Sequence, residues 1–189
     1  AGFEELDRLA RLETGAMRVE PGECDLAGLL HRTIEQITPV LVPRGSALRF
    51  ESAPDAALLI AIDLEDAEAL VWRVLASIAA ACGPEEHLSV TLAPLIGAKG
   101  ALARMTATLP AALAAEDNLF AATARTAGSA VTPGLFGAGF ALRLARAEAR
   151  GAGGELVRDG DTLVLTLPLL TGEPGLHSLD TEGHPIAGA

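Results

Sequence analysis

Apolar and polar positions follow two rhythms along this chain, and the change from one to the other divides it into helices and strands. Phe3, Leu6, Leu9, Ala10 and Leu12 recur at helical spacing, with Glu4, Glu5, Asp7, Arg8 and Arg11 on the other side. This pattern predicts an amphipathic helix stopped at Gly15. A short extended link, AMRVEPGEC, is punctuated by Pro21 and Gly22. Asp25 then caps a second helix whose stripe is Leu26, Leu29, Leu30, Ile34, Ile37 and Leu41. Pro39 is costly inside a helix, so a kink or a loosened last turn is expected there. A third, strongly apolar helix opens at Asp63 or Asp66, runs to Cys82 and is ended by Gly83 and Pro84.

Between and after these helices the period drops to two. ALRFESA alternates, whereas LLIAI is continuous and is expected to be a more buried strand. HLSVTLAPL and ALARMTATL alternate as strands around IGAKG. From Pro110 to Pro133 the chain is polar and alanine-rich, and periodicity gives no guidance. LFGAGFALRLARAEARGAGG is a helix bracketed by glycines, followed by strands GELVRDG and TLVLTLPLL around a turn at Gly160. From Thr171 to Ala189 no apolar period remains, which predicts a disordered tail. Helices mixed with mostly hairpin-linked strands give an α+β, two-layer sandwich with the helices on one face of the sheet.

Composition narrows the function classes. The 189 residues are 50% hydrophobic, which excludes a disordered chain. A net charge of −11 argues against nucleic acid or an anionic membrane as partner, since both would be repelled. With 3% aromatic residues and no tyrosine, the stacking platforms of single-strand binders are missing too. Cys24 and Cys82 lie far apart without metal-ligand spacing and read as reduced packing residues of a cytoplasmic domain. The apolar run from Leu70 to Cys82 is too short and too interrupted to span a bilayer. The acidic, amphipathic start without an initiator Met predicts a piece of a larger protein.

Several stretches, in order, resemble the catalytic and ATP-binding domain of sensor histidine kinases, whose fold is shared with gyrase, Hsp90 and MutL ATPases. LDRLARLETG is similar to the end of the second dimerisation helix. DLAGLLHRTIEQITPVLVPRGSALRFE resembles the first helix and strand of the ATPase domain, and RDGDTLVLTLPL its closing hairpin. The resemblance covers about Leu6 to Leu170. It implies a mixed sheet under a helical layer. It also implies residues 1–20 as the end of a dimerisation helix with its linker, 21–170 as the ATPase-like domain and 171–189 as the tail.

The nucleotide boxes depart from that family. Where the resemblance implies two asparagines, the second helping to hold magnesium, VLASIAAAC has Ser77 and Ala81. Alanine offers no oxygen to a hard cation. Where the family has an acid for the adenine amino group followed by two glycines, this chain has Ala107, Leu109 and Ala111. Losing that charge-assisted hydrogen bond removes roughly 1.5–3 kcal/mol of affinity. NLFAATAR, with Leu119 and Phe120, resembles the phenylalanine box before the ATP lid. LFGAGFAL matches a glycine box, with Gly137 and Gly139 at its later glycine positions, Phe140 at a leucine position and Leu135 at one often glycine. Such a turn is half a phosphate cradle at a helix N-terminus, or simply a tight entry into a helix. GAGFAL lacks the third glycine of a dinucleotide fingerprint.

The remaining polar residues read as structural. His31 lies on the ATPase-like helix rather than on the helix that carries the family's phosphorylated histidine, and His87, His177 and His184 read as solvated. Trp72 reads as packing, and the acids Asp63, Glu65, Asp66 and Glu68 suit a first helical turn without any metal. No hydrolase motif is present. The expectation is a degenerate, pseudokinase-like ATPase domain of a bacterial two-component protein, with no catalytic or metal residues of its own and no bound ATP or magnesium. Its partners would be the dimerisation helices of its parent chain, as a homodimer, and a response regulator receiver domain. The alternatives are an active kinase in which Asp117 or Asn118 supplies the missing contacts, or the support domain of a histidine phosphotransferase.

Overall fold

The computed structural model describes residues 2–52, 58–121 and 131–170. The predicted tail and part of the alanine-rich stretch lie outside the described residues.

Helix α1 spans Gly2–Glu13. The link after it leads to the short strand β1, Cys24–Asp25, and then to α2, Leu26–Leu41. Asp25 takes the capping position, but its side chain makes no cap hydrogen bond. Helix α2 runs through Pro39 and tightens into a 3-10 turn over Val42–Arg44, so the loosened end falls just beyond the proline. Thr38 Oγ1 donates to the Ile34 carbonyl at 2.7 Å beside the gap in the ladder. Strands β2 (Ala47–Ser52) and β3 (Leu59–Ile60) precede α3, Leu64–Ala81. Asp63 is the residue that opens α3, its side chain accepting from the Glu65 amide at 3.1 Å.

Strands β4 (His87–Gly97) and β5 (Gly100–Thr108) form the first hairpin. A single-turn helix α4 (Ala111–Ala114) and a 3-10 turn (Leu119–Ala121) follow. Helix α5 covers Gly137–Gly151, and the hairpin of β6 (Glu155–Asp159) and β7 (Thr162–Pro168) completes the described fold.

The main sheet has the order β2-β4-β5-β7-β6. Strands β2 and β4 are parallel, in the register Ala47↔His87, and every other pair is antiparallel. The sheet is therefore mixed, with α3 inside the crossover between its parallel strands. LLIAI behaves differently from expectation. Only Leu59 and Ile60 are strand, and they pair with β1 in a separate two-stranded ladder. Leu58, Ile60 and Ile62 are buried whereas Leu59 is exposed, so the segment alternates after all and packs one side on the core.

One face of the sheet carries Leu88, Val90, Leu92, Ala103, Met105, Ala107, Leu163 and Leu165, all buried against α2, α3 and α5. The other face presents Arg49, Thr91 and Arg104 to water. That alternation is what a sheet covered on one side requires. Helix α1 lies outside this core and buries only Leu9, against Leu144 and Ala147 of α5, while Phe3 and Leu6 stay exposed at 83% and 45%.

Candidate functional site

The residues singled out by sequence lie in two places. On α3, Ser77 is fully buried and its hydroxyl donates to the Arg73 carbonyl of its own helix at 2.5 Å. Ala81, one turn on, is buried as well. Ala107 sits in the sheet opposite Val90 and Leu163, with no exposed surface. Leu109 fills the core beyond the end of β5, and its amide bonds to the Asp161 carbonyl at 2.8 Å. Ala111 is exposed at the start of α4. Its amide donates to Glu86 Oε1 at 2.8 Å, and the other oxygen of Glu86 accepts from the Gly83 amide at 2.6 Å. One carboxylate thereby ties the end of α3 to the start of α4.

The glycine turn is the second place. Gly134 and Gly137 have positive φ, at 152° and 85°, so here the chain needs glycine for its backbone. Gly137 is the first residue of α5, whereas Gly139 is buried in the first helical turn and does not shape the bend. Gly134, which the sequence pattern left aside, does. Helix α1 lies over this turn. A side-chain carbon built at Gly2 would meet Leu135 at 2.9 Å and Phe136 at 3.3 Å, and one at Gly134 would stand 3.3 Å from both Glu5 oxygens. Among the described residues, Glu5 Oε2 is buried there without a hydrogen-bond partner. A carboxylate of α1 thus faces the amino end of α5, where negative charge is favoured.

The polar cluster that holds α1 down escaped the sequence pattern. Glu148 of α5 is 1% exposed. Its Oε2 accepts from Arg8 of α1 at 2.9 and 3.1 Å and its Oε1 from Arg73 of α3 at 2.6 Å. Arg8 also donates to Asp66 Oδ1 at 3.2 Å, and Asp66 Oδ2 accepts from the Glu20 amide at 3.1 Å. Three helices and the link meet on four charged side chains. Burial pushes the Glu148 carboxyl above its ordinary value, and Arg73 and then Arg8 pull it back only in part. One signal did stand in the sequence: Glu148 is an acid lying within the apolar face of a helix, at i+4 from Leu144. Asp66, assigned to the helix dipole alone, has this contact in addition.

Elsewhere Phe120 lies under the Arg146 guanidinium at 3.9 Å, which holds the 3-10 turn over Leu119–Ala121 against α5. Arg158 of β6 donates to the carbonyls of Ala114 and Glu116 and so holds the end of α4. His31 is exposed beside Glu35, and Cys24 and Cys82 are free and buried, both thiols pushed up chiefly by burial. Among the described residues no group of His, Cys, Asp or Glu is arranged to hold a metal ion, and no helix is long and apolar enough to cross a membrane.

The order of elements and the helix layer over one face of a mixed sheet can be compared with solved structures. The catalytic domain of histidine kinase ThkA superposes with a TM-score of 0.55 over 79% of this chain and 97% of its own, at 14% identity. The fold is that of a histidine kinase ATP-binding domain. A mycobacterial sensor histidine kinase, MprB, matches over 79% of this chain and 98% of its own, at TM-score 0.56 and 15% identity. Full-length ShkA in complex with AMPPNP matches at TM-score 0.61 and 18% identity over 87% of this chain, which spans 34% of the ShkA chain. No family model and no curated protein sequence matches the chain. The histidine-kinase fold is therefore carried here by architecture, with sequence identities that show the fold alone.

Proposed function

We propose that this chain is a degenerate ATPase domain of a two-component signalling protein, one that binds ATP little or not at all and works by protein contact. The observation that carries the reading is the occupation of the box positions by core. Ser77 spends its hydroxyl on its own helix, and Ala81, Ala107 and Leu109 are buried carbon where an oxygen ligand, an acid and a close backbone approach would be needed. Magnesium and nucleotide do not fit these residues, and no chemical step is assigned to them.

Contact is supported by α1. In this reading residues 1–20 are the end of a dimerisation helix and its linker, and 21–170 are the ATPase-like domain. Phe3 and Leu6 lie on the side of α1 turned away from the domain, suited to the neighbouring helices of a dimer of the parent chain. The buried Arg8–Glu148–Arg73 contacts fix the angle at which such a helix would meet the domain. A response regulator receiver domain is the proposed downstream partner.

Calorimetric titration with ADP and a non-hydrolysable ATP analogue, with and without magnesium, tests this. The expected result is no saturable heat, and no rise in melting temperature at ligand concentrations that stabilise a binding protein by mass action. Saturable, magnesium-dependent binding would restore an active-kinase reading.

A further inference from the structure

A cleft between the link after α1 and the outer side of α5 has no part in the reading above. It encloses about 660 Å³ and is lined by Arg18 of the link and by Arg143, Arg146 and Arg150 of α5, with Glu13 the one acid in its wall. Four of the chain's 14 cationic side chains gather here, in a molecule of net charge −11. The three α5 arginines stand at i, i+3 and i+7 and so share one side of the helix, where like charges repel. Burial, then Arg150 and Arg143, push the Arg146 guanidinium below its ordinary value.

Local acids answer only half of this charge. Glu13 engages Arg143 through both oxygens at 2.8 Å, and Glu155 engages Arg150 at 2.9 and 3.0 Å. Arg146 rests on the Phe120 ring, and neither it nor Arg18 has a carboxylate within ion-pair distance among the described residues. Among the described residues, two guanidiniums thus line one cleft without a carboxylate partner, while acids abound elsewhere on the surface.

We propose that this cleft binds a small phosphate-bearing anion, with Arg18 and Arg146 as its principal contacts and Arg143 and Arg150 at its flanks. Two uncompensated guanidiniums call for at least two negative charges. A phosphate group supplies these on one centre, with oxygens that accept from the planar fork in pairs. The volume lies within the range of small-molecule sites and exceeds a lone phosphate, leaving room for an organic portion over Leu12 and Met17. The site belongs to the carboxyl-terminal half of α5, away from the glycine turn at its amino end. It is therefore independent of whether nucleotide binds at that turn.

The test uses pyrophosphate, inorganic phosphate and citrate in calorimetric titrations of the whole chain at low salt. Saturable pyrophosphate binding is expected, weakening as salt rises. Arg18→Ala and Arg146→Ala should each weaken it about tenfold, the loss of one charge-assisted pair. Arg104→Ala, on the water-facing side of the sheet, should leave it unchanged. Arg146→Lys keeps the charge without the fork, holds its place should the alanine variant unfold, and should still weaken binding severalfold. The proposal is overturned by an absence of saturable binding at millimolar pyrophosphate, by equal binding in the arginine variants, or by citrate binding as tightly as pyrophosphate.

Discussion

Glu148 is a buried acid with two arginines against it, and such a residue is expensive to leave half-satisfied. Glu148→Ala leaves Arg73 and Arg8 facing a low-dielectric gap, and a loss of about 3 kcal/mol is expected in urea unfolding. The pH dependence has a definite sign. The folded carboxyl is raised above its unfolded value of 4.5. Its contribution to stability is therefore complete below that value and is lost as pH rises through the folded pKa. Arg8→Ala removes one of the two counter-charges, moves the folded value further up, and should extend the fall in stability to higher pH, read as unfolding midpoints across a pH series. A second residue-scale expectation concerns Gly137. Its φ is 85°, and no atom lies within 4 Å of a side-chain carbon built there. Gly137→Ala thus pays only for backbone strain, about 1–2 kcal/mol in thermal or chemical unfolding.

Among the elements, helices were legible because each presents a stripe to one core, and Leu26 to Leu41 is buried at every stripe position named from the sequence. The first helix was legible as a helix, but its stripe predicted only part of its packing, through Leu9 and Leu12. Phe3 and Leu6 are exposed, and it is Arg8 that reaches inward. Periodicity cannot find such an anchor, because a long cationic side chain on the polar side of one helix can still reach a buried acid on another. The strand β3 was overread for a related reason. A continuous apolar run resembles a central strand, yet five residues beside a tight turn into α3 gain as much by packing Leu58, Ile60 and Ile62 on the core. The cluster that docks α1 leads to a prediction at this scale. Arg8→Glu places a third carboxylate beside Glu148 and Asp66, and amide exchange across residues 3–13 should lose its protection while the sheet keeps its own.

At the scale of the molecule, the order of segments was sufficient to name the architecture. The reason is physical. A fold is specified by which faces are apolar and how the connections run, and Ala107 or Leu109 serves a core at least as well as a polar residue would. The sheet order has a further consequence, for kinetics. Four of its five strands form two local hairpins, β4–β5 and β6–β7, whereas β2 pairs with β4 in parallel at a separation of 40 residues, Ala47 to His87, and the hairpins join through β5 and β7 at separations of 54 to 66, Thr108 to Thr162 and Leu102 to Pro168. Long loops close late because their entropy is spent before their contacts are gained. Truncating Leu48 of β2 should therefore act mainly by hastening unfolding, and truncating Leu156 of β6, a strand paired only within its own hairpin, mainly by slowing folding. Seams that close late are the first to part, and of the two, β2 on β4 lies at an edge of the sheet, where a single strand can leave without separating the hairpins.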